Sequence, residues 1–329
     1  MSAPQELSGS LALNLHPRHL IVIFDAFARE LIAVPDGKVL IRRAGSGPAV
    51  LLLHGFPETS LAWRKVAPSL TRHFTAIAAD LPGYGDSLLS DSAIDNGRVS
   101  KRAMAHVLAE AMTELDISTF AVVGHDRGAR VAYRLALDHS ERVAALAVLD
   151  VIPILDMAEG MTYDAARQMG HWFWLSQSST VPETMIGRDA DLYVRHIIEE
   201  WDGSQVIERE TVDEYVRCMR NPKVIQTMGA EYRADRLDLA HDQADRIASR
   251  RIACPLLAVW AQGGLAERFG DPVTIWRRWA DEVEGRALRG GHFLMEECSQ
   301  AVVDLLVPFL ANAFDREQRL RPRVVVDSR

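Results

Sequence analysis

Phe120-Ala121-Val122-Val123-Gly124-His125-Asp126-Arg127-Gly128-Ala129-Arg130 is the stretch on which the reading of this chain turns. Its apolar start, Phe120 to Val123, reads as a buried strand, and Val131-Ala132-Tyr133-Arg134-Leu135 directly after it reads as a helix. Between them stands Gly-x-Asp-x-Gly. A Gly-x-nucleophile-x-Gly turn between a strand and a helix is a nucleophile elbow, a strained turn that holds one side chain out over the sheet edge. The residue held out here is a carboxylate, Asp126, rather than a hydroxyl. A carboxylate needs no base to activate it and displaces a leaving group from saturated carbon, giving an ester that water must then cleave. The turn therefore points to hydrolysis at an alkyl centre.

Working outward, short β runs precede and follow the elbow: Lys38 to Arg43, Val50 to Leu53, Thr75 to Ala79, Val143 to Leu149 and Leu256 to Trp260. Continuous apolar runs of this length suit strands buried on both faces of a parallel sheet. Helical stretches lie between them, at Ser60 to Leu70, Lys101 to Leu115 and Gly128 to Asp138. This alternation predicts an α/β fold with a mostly parallel, doubly wound sheet, whose ligands bind beyond the carboxyl ends of the strands. It breaks between about Ile152 and Arg251, where the chain is helix-like and rich in Trp, Tyr, Met and charge. The expected division is a lead-in over 1–20, a core made of 21–151 and 252–314, an inserted helical cap over 152–251, and a charged tail over 315–329. Sheet and helix are expected to resume from Cys254, through Pro272 to Val283 and Ser299 to Phe314, and the tail carries one apolar patch, Val324-Val325-Val326.

The bulk properties narrow the function classes. The chain has 329 residues, 48% hydrophobic and 25% charged, as an ordinary globular protein does. A net charge of −8 argues against general affinity for nucleic acid or anionic lipid, both of which need a basic face. It does not argue against a small anionic substrate, because a local arginine pair outweighs a distant acidic surface. Cys218, Cys254 and Cys298 have no metal-like spacing, and no basic n-region with an apolar core is visible near the start. A cytoplasmic protein with no metal, no cofactor and no membrane segment is expected.

An ester on Asp126 requires a base to activate water. In this architecture the order is nucleophile, acid, histidine, with the histidine after the last strand. Gly290-Gly291-His292-Phe293 fits, its two glycines letting the backbone turn sharply to present His292. The orienting acid often follows the penultimate strand, but the loop Ala261-Gln262-Gly263-Gly264-Leu265-Ala266-Glu267 holds no aspartate. The strand ending at Leu149 runs into Asp150 on the same sheet edge, so Asp150 is chosen, with Glu267 in reserve. After the first core strand, His54-Gly55-Phe56-Pro57 offers the amide of Phe56, which with the amide of Arg127 makes an oxyanion hole. His54 and His125 read as structural.

Arg127 and Arg130 follow the nucleophile at a spacing that shares one helix face. Two forked cations beside Asp126 suit a substrate carboxylate, which guanidinium binds bidentately. The alternative is that either arginine pairs with Glu58, Asp150 or another structural acid.

These residues closely resemble the fluoroacetate dehalogenases, a branch of the α/β hydrolases, over about Phe24 to Phe309. The resemblance rests chiefly on Gly124-His125-Asp126-Arg127-Gly128-Ala129-Arg130, supported by His54 to Pro57, Leu81-Pro82-Gly83-Tyr84-Gly85, His171-Trp172, Glu231-Tyr232-Arg233-Ala234 and Gly291-His292-Phe293. It implies the α/β-hydrolase fold, Asp126 as nucleophile, His292 as base, Asp150 as its partner, and Arg127 and Arg130 as carboxylate ligands. It further implies that His171, Trp172 and Tyr232 donate hydrogen bonds to a departing halide, that the substrate is a short 2-haloacid, and that the protein is a homodimer. Two departures stand out: Asp86-Ser87-Leu88, where relatives tend to have Trp-Ser-Asp, and the Gln262 to Ala266 loop.

Three rival readings share the elbow. An epoxide hydrolase uses the same Asp-His logic but needs tyrosines to protonate the ring oxygen, and a carboxylate-binding arginine after the nucleophile suits a neutral epoxide poorly. A haloalkane dehalogenase would carry a tryptophan at position 127. A noncatalytic binding protein of the same fold would be expected to lack one of the three catalytic positions, all of which are filled here.

Overall fold

The computed structural model describes Phe24, residues 27–201 and residues 203–320, so the lead-in over 1–20 and the Val324–Val326 patch lie outside the described residues. Among the described residues nine strands make one sheet. In chain order they are β1 (Ala28–Val34), β2 (Gly37–Ala44), β3 (Ala49–Leu53), β4 (Thr75–Ala79), β5 (Leu88–Leu89), β6 (Phe120–His125), β7 (Val143–Leu149), β8 (Leu256–Ala261) and β9 (Val283–Leu288). The spatial order is β1-β2-β4-β3-β6-β7-β8-β9, with β5 beside β2. From β4 to β9 every neighbouring pair is parallel, while β1, β2 and β5 add an antiparallel flank.

The strands legible as apolar runs are the ones covered on both faces. Every residue of β3, β6 and β8 is buried, which is why they carry no polar alternation. Truncating Leu52, at 0% exposure, to Ala would cost about 2–5 kcal/mol. The two sheet edges behave differently. β1 is half exposed, and β9 has the sequence Val-Glu-Gly-Arg-Ala-Leu with Glu284 and Arg286 in solvent. An edge strand with an uncovered face keeps its charges, so β9 does not read as a strand. Within the stretch from Pro272 to Val283 the helix stops at Trp276, and Val283 opens the strand.

Helix boundaries follow local chemistry. Ser100 caps Lys101–Glu114 by accepting from the amide of Ala103 at 3.2 Å. The expected helix over Ser60 to Leu70 is two pieces, a 3-10 turn at Ser60–Trp63 and a short helix at Ala67–Leu70. Pro68, which lacks an N–H, is tolerated in the first turn of the second piece. The helix after the elbow begins at Asp126 itself and packs on β6, β7 and Lys101–Glu114. The last helix runs over Ser299–Leu320, so the first residues of the segment read as a tail continue the helix.

Between β7 and β8 the described chain holds helices and no strand. Three of these helices bear on the elbow: Gly170–Leu175, Pro222–Arg233 and Asp235–Ile247. They lie over the carboxyl ends of β6 and β7, since Trp172 and Tyr232 both contact Arg127, the residue after Asp126.

Candidate active site

The elbow is shaped by its two glycines. A Cβ at Gly128 would overlap the carbonyl oxygens of Leu53 and His54, and one at Gly124 would approach the amide of Ala129 to 2.6 Å. Only without those side chains can the helix start so close to β3 and β6. Asp126 itself takes the left-handed conformation, with φ of 48°, a strained choice for a residue with a side chain. Its Oδ1 accepts a hydrogen bond from the Phe56 amide at 2.9 Å. Burial alone would raise its pKa. The charges of His292 and His125, the Phe56 amide and the Arg127 guanidinium outweigh burial and lower it to about 2. Asp126 is therefore a carboxylate at any physiological pH.

His292 follows β9 on the Gly290-Gly291 turn, and that turn is pinned by Glu297, which accepts from the amides of Gly291 and, at 3.0 Å, Phe293. Its Nδ1 lies 2.8 Å from Asp150 Oδ2. The other oxygen of Asp150 accepts from the Ala261 amide at 3.1 Å, fixing the carboxylate plane. Burial works against a charged His292, but the hydrogen bond and charge of Asp150, then the charge of Asp126, raise its pKa to about 9. The reserve acid, Glu267, is engaged elsewhere: it accepts from the Trp260 indole at 2.6 Å and the Gly263 amide at 2.7 Å.

The two flanking histidines hold loops. His54 Nδ1 donates to the Gly55 carbonyl at 2.8 Å while its Nε2 accepts from the Leu81 amide at 2.9 Å. His125 Nε2 donates to the His292 carbonyl at 2.9 Å, and its Nδ1 lies 3.0 Å from Glu58. Glu58 also accepts from the Gly55 amide at 2.9 Å, so one buried carboxylate ties the Phe56 loop to the residue before Asp126.

Asp126, Asp150 and His292 share a cavity of about 430 Å³ with Arg130, His171 and Trp172. Trp201 stands against His292 and His171, with ring centroids 5.2 and 4.9 Å away. Among the described residues no cluster of His, Cys, Asp or Glu suits a metal ion, and no helix is long and apolar enough to cross a membrane.

The alpha/beta hydrolase fold family matches residues 48–236. The chain belongs to that family. A fluoroacetate dehalogenase from Burkholderia sp. is 36% identical over 294 residues, spanning 88% of this hydrolase and 96% of that protein. A soluble epoxide hydrolase from Corynebacterium sp. (strain C12) is 33% identical over 273 residues, spanning 82% and 92%. Among solved structures, a proposed epoxide hydrolase from Pseudomonas aeruginosa superposes with a TM-score of 0.85 at 38% identity, covering 89% of this chain and 98% of that one.

The two arginines of this hydrolase diverge. Arg130 lines the cavity, its guanidinium 4.7 Å from the Trp172 ring. Its Nη1 reaches the Ile152 carbonyl at a long 3.4 Å, its Nη2 contacts Met157 Sδ, and its Nε has no partner. Arg127 is not among the lining residues. Its Nε donates to Glu231 at 3.0 Å, and Nη1 and Nη2 donate to Asp235 at 3.3 and 3.2 Å. The clamp of two arginines on one carboxylate, expected from their spacing, is not assembled: Arg127 already has two carboxylates, neither of them Glu58 or Asp150. Spacing put both side chains on one helix face but could not say which acids the Pro222–Arg233 and Asp235–Ile247 helices bring there.

Lys101 completes this buried group, pairing with Glu231, with Asp235 at 3.2 Å and with Asp238 at 3.5 Å. The sequence reading missed Lys101, Asp235 and Asp238. The two acids meet because one helix ends at Arg233 and the next begins at Asp235, a break that no spacing in the sequence marks.

The three donors expected from the cap also divide. His171 and Trp172 line the cavity, whereas Tyr232 lies one layer out, 1% exposed, its ring 6.0 Å from Trp172 and 6.2 Å from His171. Arg127 sits 3.8 Å over the Tyr232 ring, a cation–π contact. Burial lowers the His171 pKa to about 4 despite the opposing charge of Asp126, so the ring is neutral and carries one N–H. Burial also holds the Tyr232 phenol well above its ordinary value, against the pull of Arg127. Both are neutral donors.

Proposed function

We propose that this hydrolase cleaves the carbon–halogen bond of short 2-haloacids, with Asp126 as nucleophile, His292 as base and Asp150 as its partner. The observation that carries the reading is Arg130. Its guanidinium faces the cavity beside Asp126, and no carboxylate of a described residue pairs with it. A buried cation lacking a counter-ion calls for an anion from the ligand, and a guanidinium fork fits a carboxylate. Arg127 in this reading supplies positive field rather than direct contact.

The chemistry has two steps. The Phe56 amide holds Oδ1 of Asp126, leaving Oδ2 to attack C2 of the acid in line. A new O–C2 bond forms, and the C2–halogen electron pair leaves with the halide toward the N–H groups of His171 and Trp172. Donors aimed at a charge that develops only in the transition state lower the barrier there. Loss of the Asp126 charge then removes one of the influences that keep His292 protonated. The neutral imidazole takes a proton from water, whose oxygen adds to the ester carbonyl carbon. The resulting oxyanion is met by the Phe56 and Arg127 amides; on collapse the bond from the carbonyl carbon to the C2 oxygen breaks, His292 returns its proton to that oxygen, and a 2-hydroxy acid leaves as Asp126 is restored. One water is consumed, and one proton passes to solvent with the halide. The helical segment between β7 and β8 serves as the cap that excludes water from the first step.

Halide release from chloroacetate and fluoroacetate, followed in parallel with opening of styrene oxide, tests the assignment. A single turnover in heavy-oxygen water tests the route: the first product carries oxygen from Asp126, and immediate solvent label in the product would sink the ester. The epoxide alternative has its own support. His171 is a neutral donor in the cavity with the nucleophile, Tyr232 is a neutral phenol one layer behind it, and several relatives carry that name. Turnover of styrene oxide without halide release from any haloacid would establish it instead.

A further inference from the structure

The cavity is much larger than a haloacetate needs. Its 430 Å³ would accommodate roughly a dozen waters or more, whereas a haloacetate displaces roughly two or three. The surplus is not polar. Beyond the reacting groups the lining side chains include Val151, Met169, Leu265 and Phe269. Of the polar lining residues, Gln168 is engaged by Arg268, while Glu200 and Gln262 are exposed and stand at the mouth.

From this geometry we infer that the site takes 2-haloacids bearing an apolar chain on C2, and prefers them to the smallest members of the class. The inference rests on the haloacid reading above and deepens it. With C2 in line with Asp126, the carboxylate on Arg130 and the halogen at His171 and Trp172, the remaining substituent of C2 has only the apolar lobe to occupy. Water there has few polar partners, so its displacement by a hydrocarbon chain is favourable. A bare haloacetate leaves that lobe wet and gains nothing from it.

The test compares kcat/KM for bromide release from 2-bromopropanoate and 2-bromohexanoate, with bromoacetate as reference. Both substituted acids react at a secondary carbon, so their difference reports the lobe rather than intrinsic reactivity. The expected result is a value for 2-bromohexanoate on the order of tenfold higher. Leu265→Trp and Phe269→Trp, which fill the lobe, are each expected to reduce that ratio at least tenfold, and bromide released from bromoacetate shows that a variant is folded. An equal or lower value for the longer acid overturns the inference, as does a ratio unchanged in both variants. Bromide from bromoacetate with none from 2-bromohexanoate overturns this inference alone. No bromide from any acid overturns the haloacid reading, and this inference falls with it.

Discussion

Asp126 and Asp150 occupy equivalent positions at the ends of neighbouring parallel strands, and both take left-handed backbone, with φ of 48° and 50°. His125 and Leu149, the residues just before them, are register partners across β6 and β7. The two carboxylates thus leave the sheet side by side, one held by the Phe56 amide and the other by the Ala261 amide. Left-handed φ at a residue with a side chain costs on the order of 1–3 kcal/mol and persists only where surrounding structure imposes it. The strain directs one carboxylate into the cavity and the other to His292.

Replacing His292 by Gln should separate the two steps. Alkylation of Asp126 needs no base, so the variant is expected to release one halide per active site and stop. Intact-mass measurement after incubation with bromoacetate should then find the chain heavier by one carboxymethyl group. Asp150→Asn, which breaks the 2.8 Å pair with His292, should lower kcat by about 10³-fold or more while the burst persists.

The pH response has two separate signs. His292 is raised to about 9, so the folded state holds that proton more tightly than the unfolded chain does. Its contribution to stability is fully present below the ordinary value of 6.5 and is lost as pH rises through about 9. Asp126 is lowered to about 2, so its contribution is present above 3.8 and is lost as pH falls toward 2. Thermal melts between pH 7 and 10 should show a decline in Tm that Asp150→Asn flattens. NMR titration should find the resting His292 near 9, and single-turnover ester hydrolysis should inflect at a lower pH, because the Asp126 charge is then absent.

Arg130 should behave as a binding residue whose fork matters. Arg130→Leu is expected to lower kcat/KM for a haloacid by about 10- to 100-fold, the scale of a lost charge-assisted hydrogen bond. Lysine keeps the charge but not the bidentate geometry, so Arg130→Lys should recover only a fraction of the loss. Equal turnover by wild type and Arg130→Leu would remove the carboxylate role.

Glu231→Gln should act mainly on stability. It leaves Arg127 and Lys101 with one fewer buried counter-charge, and breaking a buried pair costs about 3–5 kcal/mol. Chemical denaturation should report a loss of that size. Trp172, which lines the cavity, would lose the support of the Tyr232 ring behind it, so a rise in KM is expected alongside it.

The features of this molecule that were legible beforehand are those set by local rules. The elbow is written in eleven consecutive residues, the central strands announce themselves through double-sided burial, and Asp150 follows from where β7 ends. Other features depend on what distant segments deliver. Arg127 meets Glu231 and Asp235 from more than a hundred positions away, and no helical periodicity near the elbow encodes that meeting. β9 hid because an edge strand keeps Glu284 and Arg286 on its wet face, and the last helix ran on to Leu320 through charged residues that looked like a tail.

The Lys101, Arg127, Glu231 and Asp235 group also governs traffic. These side chains come from the sheet-side helices and from the helices above them, so lifting the upper segment away would pull both cations off their carboxylates. With single buried pairs costing several kcal/mol to break, a full lid opening at each turnover is an unfavourable route. A ligand instead has the rim at Gly263-Gly264 and Gly290-Gly291, both of which border the cavity. The molecule is thus better described as a vessel with a fixed stopper and a side spout than as a jaw.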